Sequence, residues 1–238
     1  MGRTEKPGIL GRLGRWIGKL FFRLFLLFIV LSILEVLFFR FVNPPTTAFW
    51  AWQWMKAAVL SRPFTPVRHE WRDLERISPH LRKAVLAGED QRFLDHHGFD
   101  FVELEYALRD AVKDGKVRGA STITMQTARV VFLWPDRTVF RKAFEAYYTV
   151  LLELFWSKER ILETYLNMVD WGPGVMGAEA ACRKYFDVGA DRVTPLQAAG
   201  LAAILPSPHR WSPVRPGKYV SARRKRINED MKTMPDVN

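Results

Sequence analysis

The sequence predicts a mainly α-helical fold in which one N-terminal transmembrane helix precedes a single globular domain. An apolar segment near the N-terminus is long enough to cross a bilayer. Helix start signals recur along the rest of the chain, and no alternating strand pattern of useful length appears. With 238 residues, the chain remains long enough after the membrane segment to bury a hydrophobic core.

The apolar segment has the properties of an uncleaved signal anchor. Residues 24–39 have the sequence LFLLFIVLSILEVLFF, and residues 20–22 extend them to roughly the 20 residues that a transmembrane helix needs. Five basic residues and one acidic residue precede it, so the positive-inside bias predicts a cytoplasmic N-terminus. A cleaved signal peptide is the alternative, but no small-x-small cleavage site follows at once. We expect a basic cytoplasmic tail over 1–19, the anchor over 20–42, a membrane-proximal linker over 43–76 and the folded domain over 77–238.

Charge and cysteine content restrict the partners and the stabilisation of the exported part. The formal net charge of +11 is typical of a protein that meets an anionic partner. Nucleic acid is not expected on the exported side, which leaves anionic lipid headgroups or a phosphorylated substrate, although part of the charge orients the anchor. The single cysteine, Cys182, allows no internal disulfide, so a conventional hydrophobic core must hold the domain.

Capping residues predict most of the helices. Ser78 and Pro79 form an N-cap followed by a proline at the first helical position. Asp100 and Glu103 form an acidic version of the capping box. Further helices are predicted from Ser121 to about Val131, from about Thr138 to Trp156, after Ser157, and after Thr194, where Gln197 completes a cap.

A tryptophan-rich segment lies between the anchor and the domain. Residues 48–55, AFWAWQWM, have tryptophan at every second position. Because tryptophan favours the headgroup region, we expect this segment at the outer membrane surface. Packing of these rings in the core is an almost equal alternative.

The segment GEDQRFLDHHGFDF, residues 88–101, is a candidate acid–base site. Glu89 and Asp90 lie near the predicted end of a helix, where side chains reach clefts. A carboxylate beside Phe93 would be partly desolvated, which raises its pKa and suits it to proton transfer. A solvated pair of acids is the alternative. A zinc site is disfavoured, because adjacent histidines point in different directions and no HExxH spacing or cysteine partner is present.

Two further segments predict an anion site. In RGASTITMQ, residues 118–126, small residues permit close approach of a ligand, and the N–H groups of the helix after Ser121 would face an anion. The segment PDRTVFRKAFE, residues 135–145, is rich in basic residues whose guanidinium forks suit a diphosphate. The alternatives are an ordinary capped helix start and a solvated helix face with an exposed Arg141–Glu145 ion pair.

Four motifs together resemble a known family. EDQRFLDHHG, GASTITMQ, RKAFE and KERILETYLNMVDWG resemble, in order and spacing, the signature motifs of the family 51 glycosyltransferases, the peptidoglycan glycosyltransferases that polymerise lipid II. The resemblance covers roughly Ile77 to Pro213 and implies a lysozyme-like, mainly helical fold, with a larger lobe and a smaller jaw against the membrane. Since the sequence ends soon afterwards, we expect no penicillin-binding domain to follow.

The resemblance also implies the reaction and its base. Glu89 matches the catalytic base of the family, which takes the proton from the 4-hydroxyl of the acceptor's N-acetylglucosamine. That hydroxyl attacks C1 of the donor's N-acetylmuramic acid. Undecaprenyl diphosphate leaves, and a β-1,4 bond forms with inversion.

The remaining site residues are implied in the same way. Glu145 matches the second important glutamate of the family, which either coordinates a divalent cation (Mg²⁺ or Mn²⁺) at the diphosphate or, the role favoured here, holds the basic residues in place. No cofactor is required by this interpretation, and no metal ligand is assigned. Residues matched to substrate binding are Ser121 and Gln126 on the donor side, Arg129 and Arg137 at the diphosphate, and Arg141 and Lys142 of the third motif. The second motif departs from the usual pattern at Ala120 and Met125, where the family has glycine and glutamine, but Gln126 is kept.

The resemblance implies a single-pass protein of the bacterial inner membrane with a periplasmic catalytic domain. The expected partners are lipid II, the growing lipid-linked glycan, the membrane, and cell-wall synthesis or division proteins, but no nucleic acid. Two alternatives remain: a lytic enzyme that cleaves glycan on the same fold, and an inactive membrane-anchored scaffold. A lytic enzyme attacks a neutral glycosidic bond, so it would not need the basic residues.

Overall fold

The computed structural model describes residues 9–60, 67–114, 121–134 and 138–237. The chain divides into two units, Met1–Val42 and Asn43–Asn238. In the first unit, helix α1 spans Ile9–Phe41. Its part from Arg15 to Phe41 has a mean hydropathy of 2.6 and is the one helix of the described residues that is long and apolar enough to cross a membrane. The predicted N-terminal apolar helix is confirmed, but it begins earlier than residue 20 because no proline lies between Ile9 and the apolar segment.

The second unit is helical, as the sequence predicts. A short two-stranded antiparallel sheet is its main exception, and its strands of three and two residues are too short to give an alternating pattern. The elements are α2 (Ala48–Val59), a 3₁₀ turn (Leu74–Arg76), α3 (Pro79–Glu89), α4 (Phe101–Asp114), α5 (Ile123–Phe132), α6 (Val139–Phe155), α7 (Lys158–Met168), β1 (Asp170–Gly172), β2 (Val175–Met176), α8 (Ala178–Phe186), α9 (Pro195–Ile204) and α10 (Lys218–Asp230).

Most predicted caps are present. In the capping box of α9, the Gln197 N–H donates to Thr194 Oγ1 and the Thr194 N–H donates to Gln197 Oε1. Side-chain oxygens of Ser78, Asp100, Thr138 and Ser157 accept backbone N–H groups in the first turns of α3, α4, α6 and α7. The Ser121 cap is wrong: Thr122 caps α5, and its Oγ1 accepts the Met125 N–H at 3.2 Å.

Helix α9 forms the centre of the core. Seven consecutive residues, Ala198–Ile204, are buried, because this helix is apolar on all sides and packs between α3 and α10. Helix α10 carries no strong start signal and was not predicted, yet its Val220 and Ile227 are buried. A second group of contacts joins α5 to α6 and α7.

The tryptophan-rich segment forms a helix that has no fully buried residue. None of the twelve residues of α2, all of which the structure describes, is buried. Trp54 is 63% exposed. The alternative that these rings pack in the core is therefore wrong, whereas their predicted place at the membrane surface stays a prediction.

The C-terminal part of the predicted linker is fixed to the domain. The Arg68 N–H donates to Gly174 O at 3.0 Å, and the Met176 N–H donates to Arg68 O at 3.1 Å. Farther along, the Asn167 side chain exchanges two hydrogen bonds of 2.8 Å with the backbone of Arg72. Residues 67–76 therefore pack as part of the folded unit, and the chain enters α3 in a defined position.

Candidate active site

Glu89 is the last residue of α3 and lies beside α10. A Cβ atom at the preceding residue, Gly88, would lie 3.2 Å from Ile227 Cδ1, so a glycine lets α10 approach closely. The Glu89 side chain is 12% exposed. The alternative of two solvated acids is therefore wrong, since the neighbouring Asp90 is buried as well.

Two donors hold the Glu89 carboxylate. Gln126 Nε2, on α5, donates to Glu89 Oε2 at 3.0 Å. Arg223 Nη2, on α10, donates to Glu89 Oε1 at 3.1 Å and to the Gly88 carbonyl at 2.8 Å. Burial raises the pKa of Glu89, although the hydrogen bond from Gln126 and the charges of Arg223 and Arg129 act in the opposite direction. A partly desolvated carboxylate with a raised pKa is what the first motif predicts.

Asp90 and His96 connect the first motif to the start of α5. His96 Nδ1 accepts the Gly98 N–H at 3.1 Å, so the ring proton lies on Nε2 and donates to Asp90 Oδ1 at 2.9 Å. Asp90 Oδ2 in turn accepts the Ile123 N–H at 2.9 Å. Gly98 has φ of 87°, and a Cβ there would lie 2.6 Å from Thr149 Cγ2, so this turn requires glycine.

The same groups provide a poor metal site. Asp90, His96 and Asp100 bring one ligand atom each within 4.8 Å of one another. However, both His96 nitrogens and both Asp90 oxygens are in hydrogen bonds, and Asp100 Oδ1 accepts the Glu103 N–H at 2.9 Å. The arrangement is that of a structural hydrogen-bond network.

Glu145 lies on α6 at the centre of a basic cluster. It is fully buried, and its Oε2 lies 2.7 Å from Arg141 Nη1 while Oε1 lies 2.5 Å from Lys142 Nζ. Arg129 Nη1, on α5, approaches Oε2 to 4.0 Å. The alternative of an exposed Arg141–Glu145 pair is therefore wrong: the pair is buried, because α6 packs this face against α5. Lys142 and Arg129 keep 48% and 38% of their side-chain surface exposed.

The structure brings the two carboxylate sites close together through α5. Gln126 contacts Glu89, and one turn later Arg129 approaches Glu145 while its charge also acts on Glu89. Ser121 is half-buried just before the cap of α5. Arg137 lies outside the described residues.

No sequence pattern predicts that Arg223 and Tyr165 lie around Glu89. Arg223 belongs to the basic run RRKR, which has the composition of a solvated helix face and no motif that distinguishes one arginine. Tyr165 belongs to the fourth motif, and its hydroxyl lies 3.2 Å from Gln126 Oε1. The helical period predicts on which side of α7 or α10 each residue lies, but it does not predict which other residues that side contacts.

Comparisons with known proteins agree with the four motifs. The sequence model of the family described as Transglycosylase matches residues 57–232. A protein of Shewanella oneidensis named "Biosynthetic peptidoglycan transglycosylase" is 44% identical over 226 residues, which cover 95% of this chain and 94% of that protein. Proteins of the same name from Pseudomonas putida and Caulobacter vibrioides are 48% and 43% identical, over 88% and 90% of this chain and 88% and 91% of their own lengths. The chain therefore belongs to the transglycosylase family, and the peptidoglycan glycosyltransferase activity predicted from its motifs is confirmed.

Proposed function

We propose that this protein polymerises lipid II with Glu89 as the general base. The Glu89 carboxylate takes the proton of the 4-hydroxyl of the acceptor's N-acetylglucosamine as that oxygen attacks C1 of the donor's N-acetylmuramic acid. The bond from C1 to the diphosphate oxygen breaks, undecaprenyl diphosphate leaves with the bonding electron pair, and a β-1,4 linkage forms with inversion. The observation that carries this proposal is that the partly desolvated Glu89 is held by Gln126 and Arg223, beside the basic cluster around Glu145.

The surroundings of Glu89 suit a base. Burial moves the pKa of Glu89 toward neutral pH. A general base with such a pKa is ionised in a large fraction of molecules and still has a high affinity for a proton. Gln126 donates one hydrogen bond to Oε2 of Glu89, and Arg223 donates one to Oε1. Each carboxylate oxygen has two lone pairs, so a position for the acceptor hydroxyl remains.

The basic cluster suits the leaving group. A diphosphate leaves readily only when its growing negative charge is neutralised in the transition state. Arg129 and Lys142 are anchored by a buried carboxylate yet remain partly exposed, so their outer N–H groups are available to phosphate oxygens. We include Ser121, Arg137 and Arg141 in this donor site as the motifs predict.

Glu145 acts in this proposal by holding the cations. Both of its oxygens already contact basic side chains, at 2.7 and 2.5 Å. A Mg²⁺ or Mn²⁺ ion at Glu145 would have to displace Arg141 or Lys142 from a buried carboxylate. The residues present therefore fit a diphosphate site made of the chain's own cations better than a metal site.

We also propose a membrane placement, which the charge of the N-terminal segment and the exposed apolar groups support. Helix α1 would anchor the chain in the inner membrane, with the basic N-terminus in the cytoplasm and the catalytic unit in the periplasm. The exposed tryptophans of α2 would lie at the outer headgroup region. This placement gives the enzyme access to a polyprenyl-linked substrate and to other cell-wall proteins.

The test uses the full-length protein in liposomes with lipid II as the probe. We expect glycan strands and free undecaprenyl diphosphate, with the rate kept in the presence of a chelator. Glu89→Gln should fold but lose about 10²- to 10⁴-fold in polymerisation rate, because general base catalysis contributes that much. Glu159→Gln, on an exposed position of α7, is the matched control and should keep the parental rate.

Three results would contradict parts of this proposal. A folded Glu89→Gln variant with the parental rate would remove the base. Shortening of preformed glycan without synthesis would favour a lytic enzyme, an alternative that the comparisons do not support. Loss of activity with the chelator, restored by Mg²⁺ or Mn²⁺, would show that the basic residues alone do not neutralise the diphosphate.

A further inference from the structure

Tyr165 forms the far end of a hydrogen-bond chain that reaches Glu89. It lies on α7, is 1% exposed, and its hydroxyl is 3.2 Å from Gln126 Oε1 across the contact between α7 and α5. The other end of the same amide, Gln126 Nε2, donates to Glu89 Oε2 at 3.0 Å. The chain Tyr165–Gln126–Glu89 therefore contains one hydroxyl, one amide and one carboxylate.

The order of donors and acceptors in this chain determines which end of the amide faces Glu89. An ionised carboxylate can only accept hydrogen bonds, so it requires the NH₂ end of Gln126. A hydroxyl that donates to the carbonyl end of the amide favours the same orientation. Without that hydroxyl, a half-turn of the amide would present its carbonyl oxygen to Glu89, and a carbonyl can pair only with a protonated carboxyl group.

The hydroxyl of Tyr165 keeps its proton under all ordinary conditions. Burial raises the pKa of Tyr165 well above its ordinary value, and the nearby charges of Glu89 and Asp90 act in the same direction. A neutral phenol is thus always present to donate to the Gln126 carbonyl. Its nearly complete burial also means that the substrate does not replace this contact.

We propose that Tyr165 is a positioning residue of the transferase reaction, which acts through Gln126 by keeping the NH₂ end of the amide on Glu89. The inference rests on the proposed function, in which ionised Glu89 is the base. The other charged groups that act on Glu89 are Arg223 from α10, Arg129 from α5 and the adjacent Asp90. These remain in place when only the hydroxyl of Tyr165 is removed.

The test is the pH dependence of kcat/KM for lipid II polymerisation by the full-length protein, compared between the parent and Tyr165→Phe. The ascending limb reports ionisation of Glu89 in the free enzyme. We expect it to move to higher pH by about half a unit to one unit, which corresponds to the net free energy of one hydrogen bond between neutral groups. At pH values below the midpoint of the limb, kcat/KM of Tyr165→Phe should be about three- to tenfold lower than that of the parent. At higher pH the two values should agree within about twofold.

Tyr185→Phe is the matched control. The Tyr185 hydroxyl donates to Trp171 O at 3.0 Å in another part of the domain, so this variant also loses one hydroxyl and one hydrogen bond. Its limb should remain at the parental pH. Melting temperatures of both variants will show whether each protein is folded.

A double-mutant cycle separates action through Gln126 from other effects. Gln126→Leu should move the limb upward by itself, and addition of Tyr165→Phe should cause no further displacement. An equal displacement in both backgrounds would overturn the proposal, and so would a Tyr165→Phe rate reduced by one factor at every pH. If Tyr165→Phe does not fold, Gln126→Leu still tests the proposal, because an ascending limb at the parental pH in that variant would overturn it. Full activity of Glu89→Gln would instead contradict the proposed function.

Discussion

The two glutamates of the site differ in burial and in partners. Glu145 is completely buried and in direct contact with two cations, Arg141 and Lys142. Glu89 keeps 12% of its side chain exposed and contacts one cation among the described residues, Arg223, with an amide on its other oxygen. Burial without full compensation raises the pKa of Glu89.

Burial alone therefore does not identify a catalytic carboxylate. Glu145 is the more deeply buried of the two, but its charge is matched by cations at 2.7 Å or less, and its oxygens have no open side toward a substrate. Glu89 is only partly compensated and partly open, which leaves it able to exchange a proton. The first arrangement fixes cations in place, and the second provides a base.

The largest expected effect on stability that would test this comparison is that of Glu145→Gln. Removal of the carboxylate leaves the guanidinium of Arg141 buried without its partner, so we expect a loss of about 3–5 kcal/mol in the free energy of unfolding. Denaturant unfolding of the detergent-solubilised protein measures it. In protein that remains folded, the KM for lipid II should rise, because Arg129 and Lys142 lose their anchor.

Glu105→Gln is the matched control for this variant. Glu105 and Arg109 have the same i,i+4 spacing as the buried pair, but their side chains are 59% and 71% exposed. We expect a change of less than about 1 kcal/mol. Equal losses in both variants would contradict the distinction between a buried cation holder and an exposed pair.

Arg223→Gln tests the partial compensation of Glu89. The charge of Arg223 lowers the pKa of Glu89, so its removal should raise that pKa further and move the ascending limb of kcat/KM to higher pH by about one unit. The measurement is the pH profile of lipid II polymerisation. Arg226→Gln, on an exposed position of the same helix, should leave the limb unmoved. If kcat/KM of Arg223→Gln is lower at every pH and the limb is not displaced, Arg223 contributes to packing and does not set the pKa of Glu89.

The smallest expected effect is the pH dependence of stability that Glu89 contributes. Because the pKa of Glu89 is raised in the folded state, the native protein binds more protons than the unfolded chain between the ordinary pKa of 4.5 and the raised value. Stability from this group therefore falls as pH rises through that window. Glu89→Gln should be more stable than the parent above the window and equal to it below, as denaturant unfolding at several pH values would show. A constant difference at all pH values would contradict the raised pKa.

Local patterns predicted most of the helices and the candidate residues. Caps at Ser78, Thr138, Ser157 and Thr194 depend on hydrogen bonds within a few residues, and such short-range contacts are visible in the sequence. In SerThrIleThr, residues 121–124, every hydroxyl residue is a suitable cap, and only the path of the backbone selects Thr122. The strands of the small sheet are too short for any periodicity to reveal them.

Sequence patterns predict the apolar helix, the helical domain and the motif residues Glu89, Gln126, Arg129 and Glu145. The helices follow from local propensity and hydrophobic length, whereas the four motif residues follow from the resemblance of the motifs to the family. The three-dimensional packing shows that Glu145 is buried among its cations, that the Tyr165 hydroxyl contacts the Gln126 amide, and that Arg223 reaches Glu89 from 134 residues away. The physical reason is that burial and long-range pairing depend on which helix faces meet, and the period of one helix does not specify its neighbour.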